Sequence, residues 1–193
     1  MTCFPAHIRS NEVRPVTLAA DIHRVTVDEY IRIVRDFGWE STELVEGVVY
    51  DVTPEYSRHM GTVMHLFRLL DAWFPENATC NTGTVRIGPL SLFDPDVFVL
   101  DVDVRLDPDD AVPVSAVKLV VEVSVSTQAR DRGAKLMAYA KANVPEVWLV
   151  DPRPEVGELV RHRHPDGASF RTVDRFAVGE NAGDLDLAAI LPR

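Results

Sequence analysis

The chain has 193 residues, 46% of them hydrophobic and 26% charged, with a formal net charge of −10. That length suits one domain able to bury about 70% of its unfolded surface. The acidic balance argues against a protein that coats nucleic acid through clustered lysine and arginine, but not against a nuclease, whose empty metal site is itself a group of carboxylates.

No apolar run is long enough to span a bilayer. The first residues, MTCFPAHIRSNEVRP, lack a continuous apolar stretch and do not read as a signal peptide. Cys3 and Cys80 match no metal-binding spacing, so reduced thiols in a cytoplasmic protein are expected. Residues 1–25 read as an irregular arm and 26–193 as a single domain. Thr26-Val27-Asp28-Glu29 is a capping box that opens a helix reaching about Phe37, with Gly38 as its stop. Glu43 to Tyr50 reads as a hairpin turning at Glu46-Gly47, closed by Pro54. From Ser57 to Trp73, Met60, Val63, Met64, Phe67 and Leu70 recur at helical spacing.

The rest is strand-rich. Strands are expected over roughly 79–88, 96–104, 117–125, 146–151, 157–163 and 168–175, with a helix at about 127–142. The Asp- and Pro-rich stretch 105–115 reads as a solvated loop, and 185–191 as a short docking helix. This order predicts an α/β or α+β fold, a mixed sheet flanked by helices, with 117–151 forming a right-handed parallel crossover.

Within the strand 117–125, one residue is out of place. Val120, Val121, Val123 and Val125 make a buried run, yet Glu122 interrupts it. An ionised carboxylate is rarely buried unless it is paired or ligates a metal. Alternation puts Val120, Glu122 and Ser124 on one face of the strand. The following helix runs back along that strand, and about 1.5 Å of rise per residue brings Lys135 level with Glu122. An ordinary helical pair with Asp131 is the simpler role for Lys135. Asp94-Pro95-Asp96 opens the apolar run Val97–Leu100, so Asp96 stands at the mouth of a second core strand, or caps a turn there.

These residues resemble the PD-(D/E)XK restriction-endonuclease-like superfamily and, more closely, the bacterial Uma family of restriction endonucleases. The resemblance covers about residues 26–190. It rests on the Glu43-Leu44-Val45-Glu46-Gly47 hairpin, Pro54 and His59 at the following helix, and Pro95-Asp96. It continues through Glu122, Ser124, Ser126, Thr127, Asp131, Lys135 and Tyr139, and ends with the strand from Val144 to Asp151. In the superfamily's Glu-x-Lys pattern the lysine would stand at Ser124; here Lys135 takes its place from the helix.

The resemblance implies a metal-dependent endonuclease with a restriction-endonuclease-like core, cutting DNA with Mg²⁺ or Mn²⁺. Asp96 and Glu122 would hold the metal, with the carbonyl of Val123 a further ligand. Lys135 would orient or deprotonate the attacking water and offset transition-state charge. Glu43 or Glu46, His59, Ser124 and Tyr139 would support them. A homodimer suits cutting both strands, by analogy alone. The alternative is the same fold without catalysis, acting as a nucleic-acid-binding or regulatory module; a third reading is an unrelated α/β domain in which Glu122 and Lys135 form a buried salt bridge.

Overall fold

The computed structural model describes residues 23–38, 41–52, 57–102, 104–124, 129–153, 157–177, 180–182 and 185–186. Most of the arm, together with Pro54, Ser126, Thr127 and the side chain of Asp131, lies outside them.

Helix α1 (Val27–Phe37) is set by its caps. Thr26 accepts from the Glu29 N–H, the Glu29 carboxylate accepts from the Thr26 N–H, and Gly38 closes the other end at φ 70°. Strands β1 (Thr42–Val45) and β2 (Val48–Asp51) form the expected hairpin. Its two turn residues both have positive φ, 49° at Glu46 and 79° at Gly47, the type I′ geometry that matches strand twist. The arm crosses this turn. Val25 donates to the Gly47 carbonyl, and a Cβ on Gly47 would stand 2.5 Å from Arg24 Cβ. Gly47→Ala should therefore cost about 1–3 kcal/mol in strain and displacement of the arm, read as a lower urea midpoint at unchanged slope.

Helix α2 (Ser57–Trp73) follows, then β3 (Thr79–Cys80), β4 (Val85–Gly88), β5 (Ser91–Phe93), β6 (Val97–Leu100), β7 (Val112–Pro113) and β8 (Val117–Val123). Helix α3 (Ala129–Lys141) leads to β9 (Glu146–Asp151), β10 (Glu158–Asp166), β11 (Ser169–Ala177), β12 (Asn181–Ala182) and β13 (Leu185–Asp186). The fold is α+β. Its main sheet has the order β11-β10-β9-β8-β6-β3, antiparallel except for the β8/β9 pair that α3 connects. A five-stranded sheet, β2-β1-β5-β4-β7, stands beside it.

Two sheets replace the one expected. Residues 79–88 are two strands, not one. At Gly83 the backbone turns at φ 133° with the Phe98 ring 3.2 Å from where a Cβ would be, and β3 and β4 join different sheets. The strand beginning at 97 stops at Leu100 rather than 104. Val112–Pro113, placed in a loop by the sequence, pairs in parallel with β4, and Ser91–Phe93 is a short buried strand that alternation could not reveal. Of the expected helix over 185–191, Leu185–Asp186 instead pairs antiparallel with Asn181–Ala182, and 187–191 lie outside the described residues. Leu185 and Leu187 recur at period two, which suits a strand as well as a helix.

The main sheet is covered on both faces. Leu66 and Leu70 of α2 pack on Val97, Val99, Val121, Trp148 and Leu159. Ala138, Tyr139 and Ala140 of α3 pack on Val120, Val147, Phe93 and Phe98, a cluster that also takes in Val45, Val85 and Ile87 of the second sheet. Glu122 alternates with Val121 and Val123 and so faces α3, where the two sheets meet. Among the described residues no helix is long and apolar enough to cross a membrane.

Candidate active site

Lys135 and Tyr139 are one turn apart on α3 and present one face to β8. Lys135 Nζ lies 3.1 Å from the Glu122 carboxylate and 3.0 Å from Glu43 Oε1, contributed by β1. Tyr139 Oη donates to Glu122 Oε1 at 2.6 Å. Phe93 floors the group: its ring centroid is 5.3 Å from Lys135 Nζ and 5.2 Å from the Tyr139 ring, edge to face. The level match read from the strand and helix spacings is thus realised. Lys135 reaches Glu122 from the helix, where the superfamily pattern would place a lysine at Ser124.

Asp96 joins from the other side of β8. Its Oδ2 accepts the Val123 N–H at 2.6 Å, and its Oδ1 is 3.1 Å from His59 Nε2 on α2. Regular pairing between β6 and β8 begins at Val97 and Val121, so beyond it the Asp96 side chain serves as the acceptor for the β8 donor at Val123. Asp94 is also tied in, its N–H donating to Glu43 Oε1 at 3.1 Å. Glu43 therefore joins the hairpin, the start of β6 and α3 through one carboxylate.

The electrostatics follow from burial. His59, Asp96, Glu43, Glu122 and Lys135 expose between 7% and 16% of their side chains, so the group is largely enclosed. Burial pushes the Glu122 carboxyl up to about 7; the Lys135 ammonium opposes this, and the charges of Asp96 and Glu43 add to it. Burial works against the charge on Lys135, but Glu122 and Glu43 outweigh it and its pKa is raised. Burial, then the adjacent Glu122 charge, raises the Tyr139 hydroxyl well above its usual range. Lys135 is accordingly held as a cation and Tyr139 as a neutral donor.

The other expected residues divide clearly. Glu46 is not in the group: it sits at the hairpin tip, 3.0 Å from Lys141 on the surface. Ser124 extends the parallel pairing through its N–H to the Val150 carbonyl. The arginines at 161, 163 and 171 each pair with a carboxylate, Glu146, Asp174 and Asp166. Sequence reasoning missed Phe93 as the floor and the His59–Asp96 contact; neither leaves a local signal, since each depends on elements far apart in the chain.

The donor set suits a hard divalent cation. Asp96 and Glu122 offer carboxylate oxygens, and Mg²⁺ is commonly bound by one or two carboxylates with water completing the shell. Among the described residues no three His, Cys, Asp or Glu side chains converge as a ready metal cage.

Comparison with known proteins agrees with this architecture. A crystal structure described as "a putative nuclease belonging to DUF820 from Anabaena variabilis ATCC 29413" superposes with a TM-score of 0.66. It is 14% identical, over 86% of this chain and 99% of that one, and so speaks for the fold. No curated protein matches the chain. Residues 27–182 match the family Uma2, described as "Putative restriction endonuclease", and with four-fifths of its length inside that match the chain belongs to the Uma2 family.

Proposed function

We propose that this protein is a metal-dependent endonuclease that hydrolyses DNA phosphodiester bonds. The observation that carries the proposal is the Lys135 ammonium held between the buried Glu122 and Glu43 carboxylates, with the charge of Asp96 also acting on Glu122. A structural salt bridge needs one carboxylate; two carboxylates on one lysine, with Asp96 adding its charge at Glu122, make a group rich in negative charge that suits a further cation.

Asp96 and Glu122, with the Val123 carbonyl, are the residues that would hold Mg²⁺ or Mn²⁺. Such an ion polarises a phosphoryl oxygen and lowers the pKa of bound water. Lys135 donates hydrogen bonds to the attacking water or to a phosphoryl oxygen and offsets transition-state charge. Its raised pKa makes it a poor base, so of the two roles read from the sequence the electrostatic one is favoured. Glu43 anchors Lys135, Tyr139 orients Glu122, and His59 positions Asp96. Two such sites in a homodimer would suit cutting both strands.

The test is conversion of supercoiled plasmid to nicked or linear form with Mg²⁺ or Mn²⁺. Cleavage by the wild type that is lost in Asp96→Asn and Glu122→Gln supports the proposal. Divalent-ion binding with no cleavage of duplex or single-stranded DNA would sink it and favour the second reading, a nuclease fold without catalysis. That reading draws on the saturation of the site, where Tyr139 and Lys135 already engage Glu122, and Val123 and His59 engage Asp96.

The Glu122 carboxyl gives a pH signature. Its folded value of about 7 exceeds its ordinary 4.5, so the folded state holds a proton that the unfolded state releases. The stability it contributes is complete below the ordinary value and is lost as pH rises through about 7. Metal uptake must displace that proton. Titration calorimetry at about pH 6 in buffers of different ionisation heat should show close to one proton released per ion bound, and almost none at about pH 8. Glu122→Gln should abolish the difference.

A further inference from the structure

Strands β8 and β9 run side by side and parallel, and their carboxyl ends are built differently. Past Glu122, β8 continues to Val123 and Ser124, whose N–H donates to Val150 at 2.9 Å. Strand β9 ends at Asp151, a carboxylate only 5% exposed, and Arg153 folds back onto it. Arg153 Nε lies 2.9 Å from Oδ1 and 3.2 Å from Oδ2, and Nη2 lies 2.6 Å from Oδ2. The Arg153 backbone N–H adds a fourth contact, to Oδ1 at 3.1 Å.

A guanidinium gripped along its Nε/Nη2 edge is held in one plane and one direction. The side chain remains 26% exposed, so a ligand can reach it. A pair of this kind brings little stability, because a buried ion pair is often no better than apolar residues of the same volume. Its gain is orientation, and a planar, oriented guanidinium is the group best suited to phosphate.

The ladder fixes where it stands. Glu122 lies opposite Leu149, so Asp151, two residues on, shares their face. About 3.3 Å per residue and 4.8 Å between strands put the Asp151 Cα about 8 Å from that of Glu122. Asp96 lies on the opposite flank of β8, at the level of Val123. Asp96, Glu122 and the Asp151–Arg153 pair therefore form a row across the ends of β6, β8 and β9. With one phosphate at the carboxylates, a guanidinium held on Asp151, whose Cα stands about 8 Å from that of Glu122, is placed for a neighbouring phosphate rather than the one being cut.

We infer that Arg153, oriented by Asp151, binds a DNA-backbone phosphate beside the one that is cleaved; the inference rests on the proposed endonuclease reading. Arg153 is then a substrate-binding residue and Asp151 its positioning residue. The contact carries no base information, so it adds affinity without sequence preference.

The test is fluorescence anisotropy of a labelled duplex with Ca²⁺ as the hard cation, across a series of salt concentrations. Arg153→Gln should weaken binding by about 3- to 10-fold on any sequence and flatten the plot of log affinity against log salt by about 0.9. An unchanged slope in a folded Arg153→Gln protein overturns the inference and leaves the endonuclease reading standing. A wild type that binds no duplex removes both. Should Arg153→Gln fail to fold, the wild type reports directly. Its Arg153 Nε–H resonance, assigned by its loss in Arg153→Lys, should shift and saturate with added duplex. A resonance that stays fixed while others move overturns the inference.

Discussion

Lys135→Met should reduce DNA cleavage by about 10²- to 10⁴-fold, the range expected for removing a group that stabilises transition-state charge or positions the nucleophile. The same change should leave divalent-ion affinity equal to that of the wild type or tighter. The reason is charge. Lys135 is the cation between Glu122 and Glu43, and both raise its pKa. Without it, the ammonium no longer offsets the repulsion of Glu122 by Glu43 and Asp96, and a metal ion gains more from binding there. Methionine keeps most of the length of the lysine stem and removes the ammonium together with its contact to the Phe93 ring, so the effect isolates the charge. The metal-free variant should also hold the Glu122 proton to higher pH than the wild type, because the group that opposes that shift is gone. Plasmid cleavage and Mn²⁺ calorimetry measured on one preparation decide the matter. Loss of metal binding together with cleavage would show that Lys135 merely supports the fold of the site.

Tyr139→Ala should destabilise the protein by about 3–5 kcal/mol, the cost of deleting a buried aromatic ring. Tyr139 is 1% exposed, packs edge to face on Phe93, and belongs to the cluster that joins α3 to both sheets. Tyr139→Phe separates packing from hydrogen bonding. It keeps the ring and removes only the hydroxyl that donates to Glu122. The cost should be about 1.5–3 kcal/mol, as for a hydrogen bond to a charged group, provided Glu122 is ionised. Near and below about pH 7, where Glu122 takes up its proton, that cost should shrink. Urea unfolding of both variants at two pH values provides the measurement. A Tyr139→Phe protein as stable as the wild type at every pH would make Tyr139 a core residue and nothing more.

Much of the site was legible because the sequence carries its anomalies locally. Glu122 stands out against five valines in nine residues, and Asp96 is marked by the proline before it. The capping box at Thr26 and the Glu46-Gly47 turn are chemical signals that act within four residues, and both appear as read. Elements that depend on distant partners were not legible. Ser91–Phe93 and Val112–Pro113 are too short to show a period and become strands only because other strands lie beside them. The break at Gly83 follows from the Phe98 ring, contributed by another strand. The choice between Glu43 and Glu46 had the same character. Both lie on one hairpin, three residues apart, and only the packing of that hairpin against α3 turns Glu43 to Lys135 and Glu46 to Lys141.

The amino-acid sequence by itself determined a mixed fold of helices and strands, the parallel crossover, and the level match that lets a helical lysine reach a buried carboxylate. These follow from side-chain period, capping chemistry and the cost of burying charge, all of which act over short stretches of chain. Tertiary structure alone decided that the sheet is two sheets, that Glu43 rather than Glu46 meets Lys135, and that Arg153 is held on Asp151. Those outcomes depend on which surfaces meet, and the free energy of such meetings is shared among residues far apart in the chain.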